Sequence, residues 1–304
     1  MYDGSRPIKK ILIIGFGRMG VSHTFQILGA LKSECELVVV DPSISARALS
    51  KILLPRRRFF RRLSDCQDLD FDIGVLCSPP YERSAAVSAL ERRCEFSLIE
   101  KPVLTELRSS TMSGYVMQYC PTGERVARNI ATRKIKLDSI AIKVESNVDF
   151  SRSRYGWRTS PGAGGLASEF LGHALTFALT PIFRGVDLNF SDFKVKKSSA
   201  NLIDITISVD DLKIHCVLIA DAKVRKTRYS CLYSTECGEI IEFDPYQIKE
   251  ETRTTSITEI APDIEYFLRS YEFSTQCERL LSNRGDFLTA KSIVAIEALI
   301  AKIK

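Results

Sequence analysis

The segment that most limits what this chain can fold into is Gly15-Phe16-Gly17-Arg18-Met19-Gly20, which directly follows the mostly apolar run 10–14. A short run rich in Ile and Leu, closed by a glycine, reads as a buried parallel strand. Residues 19–31 read as a helix. In a strand–Gly-x-Gly-x-x-Gly–helix unit, each glycine has a physical task. The first allows the tight turn, the second lets backbone approach a pyrophosphate, and the third lets helix and strand pack closely. The helix N-terminus then offers free N–H groups and a positive dipole end to phosphates. All six residues, Gly15, Phe16, Gly17, Arg18, Met19 and Gly20, are therefore candidates for dinucleotide binding. The alternative is a tight βα turn with no ligand.

Strands and helices go on alternating through the first third of the chain. Residues 36–40, 71–77 and 95–99 read as strands, and 43–53 and 82–92 as helices. Such alternation implies βαβ crossovers and a parallel sheet. Asp41 ends the second strand, about 20 residues beyond the third glycine, where an acidic side chain accepts the ribose hydroxyls of a dinucleotide. It also repels a 2′-phosphate, so NAD is expected in preference to NADP. A plain helix-start residue is the other reading of Asp41. Ser78 and Pro79 follow the strand 71–77, and Glu100 and Lys101 follow 95–99. They would lie at the carboxyl ends of strands, where open α/β sheets bind ligands.

The second half has a different character. Strand-like stretches at 139–148, 202–209, 213–220, 227–233 and 239–243 are interrupted by one helix at 166–183. Two more helices, at 264–281 and 287–303, come last. The expected fold is α/β: a Rossmann dinucleotide-binding domain over 1–120, then an α+β domain with an open, mostly antiparallel sheet over 121–304. The 304 residues suffice for two such domains.

Composition narrows the function classes. The apolar runs are far shorter than the roughly 20 residues a membrane helix needs. The N-terminus has no apolar stretch after a basic start, so we expect a cytoplasmic protein. The nine cysteines form no Cys-x-x-Cys pair and are odd in number, which argues for a reducing compartment rather than disulfides or zinc. With three histidines, no metal site is expected. The net charge of +6 is mild, but Arg56, Arg57, Arg58, Arg61 and Arg62 cluster around Phe59 and Phe60. This segment should be a short third strand at a sheet edge, where charges blunt edge-to-edge pairing. Docking of an acidic protein or phosphorylated carrier is a second reading. Help in holding an NADP 2′-phosphate is a third and weaker one, because such arginines normally follow the second strand directly. No nucleic-acid-reading motif accompanies the patch.

Taken together, the fingerprint in 15–23, Cys77-Ser78-Pro79-Pro80, Glu100-Lys101-Pro102, Trp157-Arg158, Gly164-Gly165, Glu169 and His173 resemble the glucose–fructose oxidoreductase, inositol dehydrogenase and MocA family. The resemblance spans the chain and keeps the family's order. It implies a Rossmann domain, a C-terminal domain whose open sheet often mediates self-association into dimers or tetramers, and an active site between the domains. It also implies reversible hydride transfer at a sugar, cyclitol or related carbon. Lys101 and His173 would be catalytic and Glu169 supporting, with Trp157, Arg158 and Thr176 near substrate. The sequence departs from the family at several points. Glu169 and Thr176 stand where aspartates are usual, Gln118 where an arginine is common, and Arg83 where a histidine is common. The helix after Glu-Lys-Pro looks truncated.

The chemistry suits these residues. Oxidising a carbinol needs a hydride acceptor and a base, and histidine can act as base or acid near neutral pH. Glu169 and His173 are four apart on an expected helix, so they share a face. The Lys101 ammonium could stabilise alkoxide charge. Packing is nearly as good an account of Trp157. His23 reads as structural and His215 receives no role. The competing function is a non-catalytic protein that keeps the dinucleotide site as a sensor.

Overall fold

A computed structural model describes residues 8–32, 34–54, 57–66, 68–80, 83–103, 106–148, 165–245, 247–251, 256–260 and 270–303. The chain divides into two compact units. One comprises Met1–Gly114 with Phe273–Asp286, the other Tyr115–Glu272 with Phe287–Lys304.

The first unit is built on six parallel strands: β1 (Lys9–Ile14), β2 (Cys35–Val40), β3 (Arg58–Phe60), β4 (Phe71–Leu76), β5 (Cys94–Ile99) and β6 (Thr111–Ser113). Their order in the sheet is β3-β2-β1-β4-β5-β6, the doubly wound order of dinucleotide-binding folds. Four consecutive β1 residues, Ile11 to Ile14, are buried. Unbroken burial of this kind is what a parallel strand covered on both faces requires. Helices α1 (Arg18–Ala30), α2 (Ile44–Leu53) and α3 (Arg83–Arg93) connect the strands. Ser43 caps α2, its hydroxyl accepting from the Ala46 N–H. The arginine segment forms β3 at the sheet edge, as expected. Among the described residues between Pro102 and β6 there is no helix.

The second unit is an eight-stranded sheet in the order β14-β13-β12-β11-β7-β10-β9-β8. Its strands are β7 (Leu137–Ser146), β8 (Phe190–Ser199), β9 (Leu202–Val209), β10 (Leu212–Ala220), β11 (Arg228–Thr235), β12 (Ile240–Phe243), β13 (Gln247–Glu251) and β14 (Ser256–Ile260). Only the β7–β10 pairing is parallel among the described strands. Helices α4 (Pro121–Arg133), α5 (Gly172–Leu179) and α7 (Ala290–Ile303) belong to this unit. Phe177 of α5 packs on Phe243 and Tyr229, with ring centroids 5.0 and 6.2 Å away.

The two-piece division at residue 120 differs from the structure in two ways. The boundary falls at Gly114/Tyr115, and Phe273–Asp286, which includes most of α6 (Ser270–Leu281), returns to the first unit. The return is fixed by hydrogen bonds to β6. The Asp286 carboxylate accepts from the Ser113 N–H at 2.7 Å and its hydroxyl at 2.6 Å, and Gln276 Nε2 donates to the Ser113 carbonyl at 3.0 Å. Five elements were not anticipated: β6, β8, β13, β14 and α4. The edge strand β8 is almost wholly exposed and carries no apolar alternation; its Lys194, Lys196 and Lys197 suit an unpaired edge. Helix α4 begins at Pro121, a first-turn proline.

The two faces of this sheet differ in character. Residues 202–209 keep their apolar side chains, Leu202 excepted, on one face. Ile203, Ile205, Ile207 and Val209 are buried, whereas Leu202, Asp204, Thr206 and Ser208 alternate with them on the other face. That outer face carries a His215–Asp204 contact of 2.8 Å and a depression of about 310 Å³ beside Ala141, Val217 and Leu232. Among the described residues no helix is long and apolar enough to cross a membrane.

The alternation has a direct test. Ile205→Ala empties a fully buried site and should cost about 2–5 kcal/mol. Thr206→Ala on the outer face should stay within about 0.5 kcal/mol of wild type. Urea unfolding followed by circular dichroism compares the two.

Candidate functional site

In the first unit, the turn after β1 is pressed onto the end of β4. Gly15 has φ +91°, and a Cβ there would lie 2.7 Å from the Ser78 nitrogen. A Cβ at Gly20 would lie 1.9 Å from the Gly15 carbonyl oxygen. Both positions therefore require glycine for the fold itself. Gly17 is different: a Cβ there meets nothing within 4 Å. It stands at the N-terminus of α1, with Arg18 and Met19 in the helix's first turn and Phe16 buried beneath. An open glycine beside unsatisfied helix amides is the geometry that accepts a phosphate.

Asp41 holds this turn from the side. Its carboxylate accepts from the Phe16 N–H at 2.6 Å and the Ser43 N–H at 2.8 Å. Two backbone donors occupy two of the roughly four lone-pair directions of a carboxylate, which leaves acceptor capacity for ribose hydroxyls. The helix-start and nucleotide readings of Asp41 are thus compatible. On the opposite side, the Ser78 hydroxyl is buried without a hydrogen-bond partner, while Pro79 is partly exposed. An unsatisfied buried hydroxyl beside the glycine turn suits a bound polar ligand. The open Gly17, the Asp41 carboxylate and the Ser78 hydroxyl all fit a dinucleotide.

Glu100, Lys101 and Pro102 follow β5, with a cis bond between Lys101 and Pro102. Glu100 is buried, and its carboxylate is engaged by His23 Nε2 at 2.7 Å and the Lys101 N–H at 3.2 Å. Its side chain therefore braces the protein, a different task from the cofactor contact expected of it. Arg83, to which no role was given, is also buried. It donates to the Ser78 carbonyl at 2.8 Å, to the Pro102 carbonyl at 2.6 Å and to the Glu100 carbonyl. One guanidinium thus ties the ends of β4 and β5 together. Nothing in Tyr81-Glu82-Arg83 signals this, because the fork is matched to carbonyls distant in sequence. Burial pushes the neighbouring Cys77 thiol well above its ordinary range; the Glu100 carboxylate adds to this and Arg83 opposes it. This favours the neutral thiol of Cys77 over the thiolate.

In the second unit, Glu169 and His173 do not share one regular helix. Ala167–Leu171 forms a π-helical turn that runs into α5. Such turns are rare and recur at functional sites. Glu169 is partly exposed, and His173 is 6% exposed. The Tyr115 ring meets the His173 ring edge-on at 5.4 Å, and Gly172 permits this, since a Cβ there would strike Tyr115 at 2.3 Å. The Tyr115 hydroxyl donates to the buried Glu297 carboxylate. Tyr115 and Glu297 carry no mark in the sequence, because they are far from His173 along the chain. Thr176 departs from its expected place beside substrate. It has no exposed surface, and its hydroxyl donates back to the His173 carbonyl at 3.2 Å. Gln118 is an internal anchor, accepting from the Phe287 N–H at 3.0 Å. Trp157 and Arg158 lie outside the described residues, as does Arg56. Among the described residues no group of side chains could hold a metal ion.

The remaining arginines are partly committed locally. Arg57 donates to the Cys35 carbonyl, and Arg58 approaches Glu36 at 3.5 Å and the Phe60 ring at 5.2 Å. A half-exposed pair of this kind adds little stability.

No protein-family model matches the sequence, and no curated protein sequence does. Solved structures do match. A levoglucosan dehydrogenase in complex with NADH and L-sorbose aligns with a TM-score of 0.80 and 10% identity, covering 98% of this chain and 97% of that one. A myo-inositol dehydrogenase from Corynebacterium glutamicum gives 0.67 and 16%, covering 97% and 95%. A putative NADPH-dependent oxidoreductase from Desulfitobacterium hafniense gives 0.74 and 10%, covering 98% and 95%. At these identities the likeness establishes a shared fold: this chain has the two-domain fold of these dehydrogenases.

Two glycines of one motif should now separate in experiment. Gly17→Ala should fold with stability within about 1 kcal/mol of wild type yet lose NADH binding, because its methyl group occupies the open approach. Gly20→Ala should lose stability outright. Thermal melts and NADH fluorescence titration distinguish them.

Proposed function

We propose that the protein is an NAD(P)-dependent oxidoreductase acting on a sugar-like, cyclitol-like or related hydroxylated substrate, which includes nucleotide-linked ones and a biosynthetic ketone or imine. The observation that carries this reading is Lys101. It stands at the carboxyl end of β5, in the same parallel sheet and at the same end as the glycine turn and Asp41. The fold shared with sugar and cyclitol dehydrogenases supports it.

A nicotinamide cofactor, when bound, supplies or accepts the hydride. The chain's own residues do the rest. The amides around Gly17 bind phosphate, and Asp41 binds ribose. The Lys101 ammonium donates a hydrogen bond to the reacting oxygen and stabilises negative charge there. His173 exchanges the proton of that oxygen, and Glu169 supports it. Trp157 and Arg158 are assigned to the substrate by resemblance alone; Thr176 is withdrawn from that role because its hydroxyl is turned into the helix. NAD is the preferred cofactor in this reading, because the Asp41 charge repels a 2′-phosphate.

The protein is also proposed to self-associate through the outer face of the second sheet. Leu202, Ala141, Val217 and Leu232 there give partial apolar cover, mixed with charge. A monomeric mass by light scattering at micromolar concentration would count against this part.

The decisive experiment is a screen of polyols, keto-sugars and cyclic imines for NADH oxidation or NAD reduction, followed by kinetics of variants. Lys101→Ala and His173→Ala should each lose about 10²–10⁴-fold in turnover, and Glu169→Gln less, with NADH affinity little changed. NADPH should bind more weakly than NADH, and Asp41→Asn should narrow the gap. Near wild-type turnover in both alanine variants would sink the catalytic assignment. Tight NADH binding with no turnover of any substrate would favour a binding protein instead.

A further inference from the structure

A histidine and a glutamate buried against each other must be explained, since removing two polar groups from water is costly and an apolar pair of similar size is often as stable. His23 and Glu100 are 4% and 5% exposed. Their contact lies at the residue immediately before Lys101, and its geometry uses both carboxylate oxygens. Oε1 receives His23 Nε2 at 2.7 Å, and Oε2 receives the Lys101 N–H at 3.2 Å.

The other side of Lys101 is held as well. Arg83 donates to the carbonyls of Glu100 and Pro102. The chain at Gly114 is pressed against Glu100, so that a Cβ there would lie 2.7 Å from both Glu100 Cα and Oε2. The His23 ring is in turn set edge-on against Phe273, with centroids 5.8 Å apart. A leucine at position 23 would fill the same space. What histidine adds is a donor to Oε1. That donor selects the carboxylate orientation in which Oε2 meets the Lys101 amide.

We infer that His23 is a positioning residue which, acting through Glu100, fixes the backbone of Lys101 and so the direction in which its ammonium is presented. The inference rests on the role proposed above for Lys101, but its first test does not need a substrate. A merely structural His23 would weaken the whole first unit. A positioning His23 acts on one peptide.

The test is amide NMR of the full-length protein with His23→Leu, His23→Gln and Gly114→Ala. In His23→Leu the Lys101 amide proton should shift upfield and exchange about 10-fold faster or more, as loss of one charge-assisted hydrogen bond allows. The Phe16 and Gly17 amides should keep their wild-type positions. In His23→Gln, whose side-chain amide can still donate to Glu100, the Lys101 signal should return towards wild type. Gly114→Ala displaces Glu100 from the opposite side and should reproduce the Lys101 shift, which keeps the test alive if His23→Leu does not fold. An unchanged Lys101 amide in the variants that fold overturns the inference. Given a substrate, His23→Leu should lower kcat roughly 10–100-fold, the scale of a small misplacement of a reacting group. KM and NADH affinity should hold, and His23→Gln should restore turnover. If the Lys101 amide responds while wild type turns over no substrate, the role of Lys101 is what fails and the positioning device stands.

Discussion

The close approach of the Gly15 turn to the end of β4 is the constraint on which the first unit depends. At 2.7 Å between a notional Gly15 Cβ and the Ser78 nitrogen, no side chain can intervene. The start of α1 is therefore locked over the sheet at the point where strand order reverses between β1 and β4, which is where open α/β sheets bind ligands. Asp41 then joins the turn to the start of α2 through two backbone amides. A carboxylate held in this way is placed before any ligand arrives, so little ordering cost remains for binding.

This constraint was legible because it is local. A β-branched run, three glycines at fixed spacing and an acid about 20 residues on lie within forty-one positions of the N-terminus. The parallel strands were legible for a related reason: each is a short, uninterrupted apolar run. What the sequence hid depends on contacts between distant positions. Arg83 joins carbonyls at Ser78, Glu100 and Pro102, and no periodicity marks a guanidinium for that task. Asp286 returns its segment to β6 across more than half the chain. Strand β8 gave no signal because an exposed edge strand has no apolar face to alternate.

In the second unit, regular spacing describes one element and fails in another. In β9 the repeat holds, and it separates Ile205 and Ile207 from Asp204 and Thr206 more cleanly than the composition of the segment suggests. Around Glu169 the repeat breaks, because the turn is π-helical. Residue spacing alone then no longer states which side chains share a face. Thr176, one turn beyond His173, spends its hydroxyl on the helix backbone, a local alternative always open to threonine.

Polar burial follows a common logic in the two units. Lys101 is held through Glu100 by His23, and the His173 ring lies against Tyr115, whose hydroxyl is taken by Glu297. The Lys101 amide is hydrogen-bonded to a clamped carboxylate, whereas the His173 ring meets Tyr115 edge-on. Neither arrangement is the cheapest way to fill a core, since apolar side chains would avoid the desolvation cost. The cost is understandable if direction matters more than stability. An apolar contact fixes volume but tolerates rotation, whereas a hydrogen bond to a clamped carboxylate fixes orientation. Hydride transfer needs the reacting oxygen, its proton partner and the hydride carbon aligned within a fraction of an ångström. The clamped carboxylate behind Lys101 therefore fits the catalytic role proposed for that residue. Binding alone would require the turn, Asp41 and Ser78, and gives no reason to brace the Lys101 backbone.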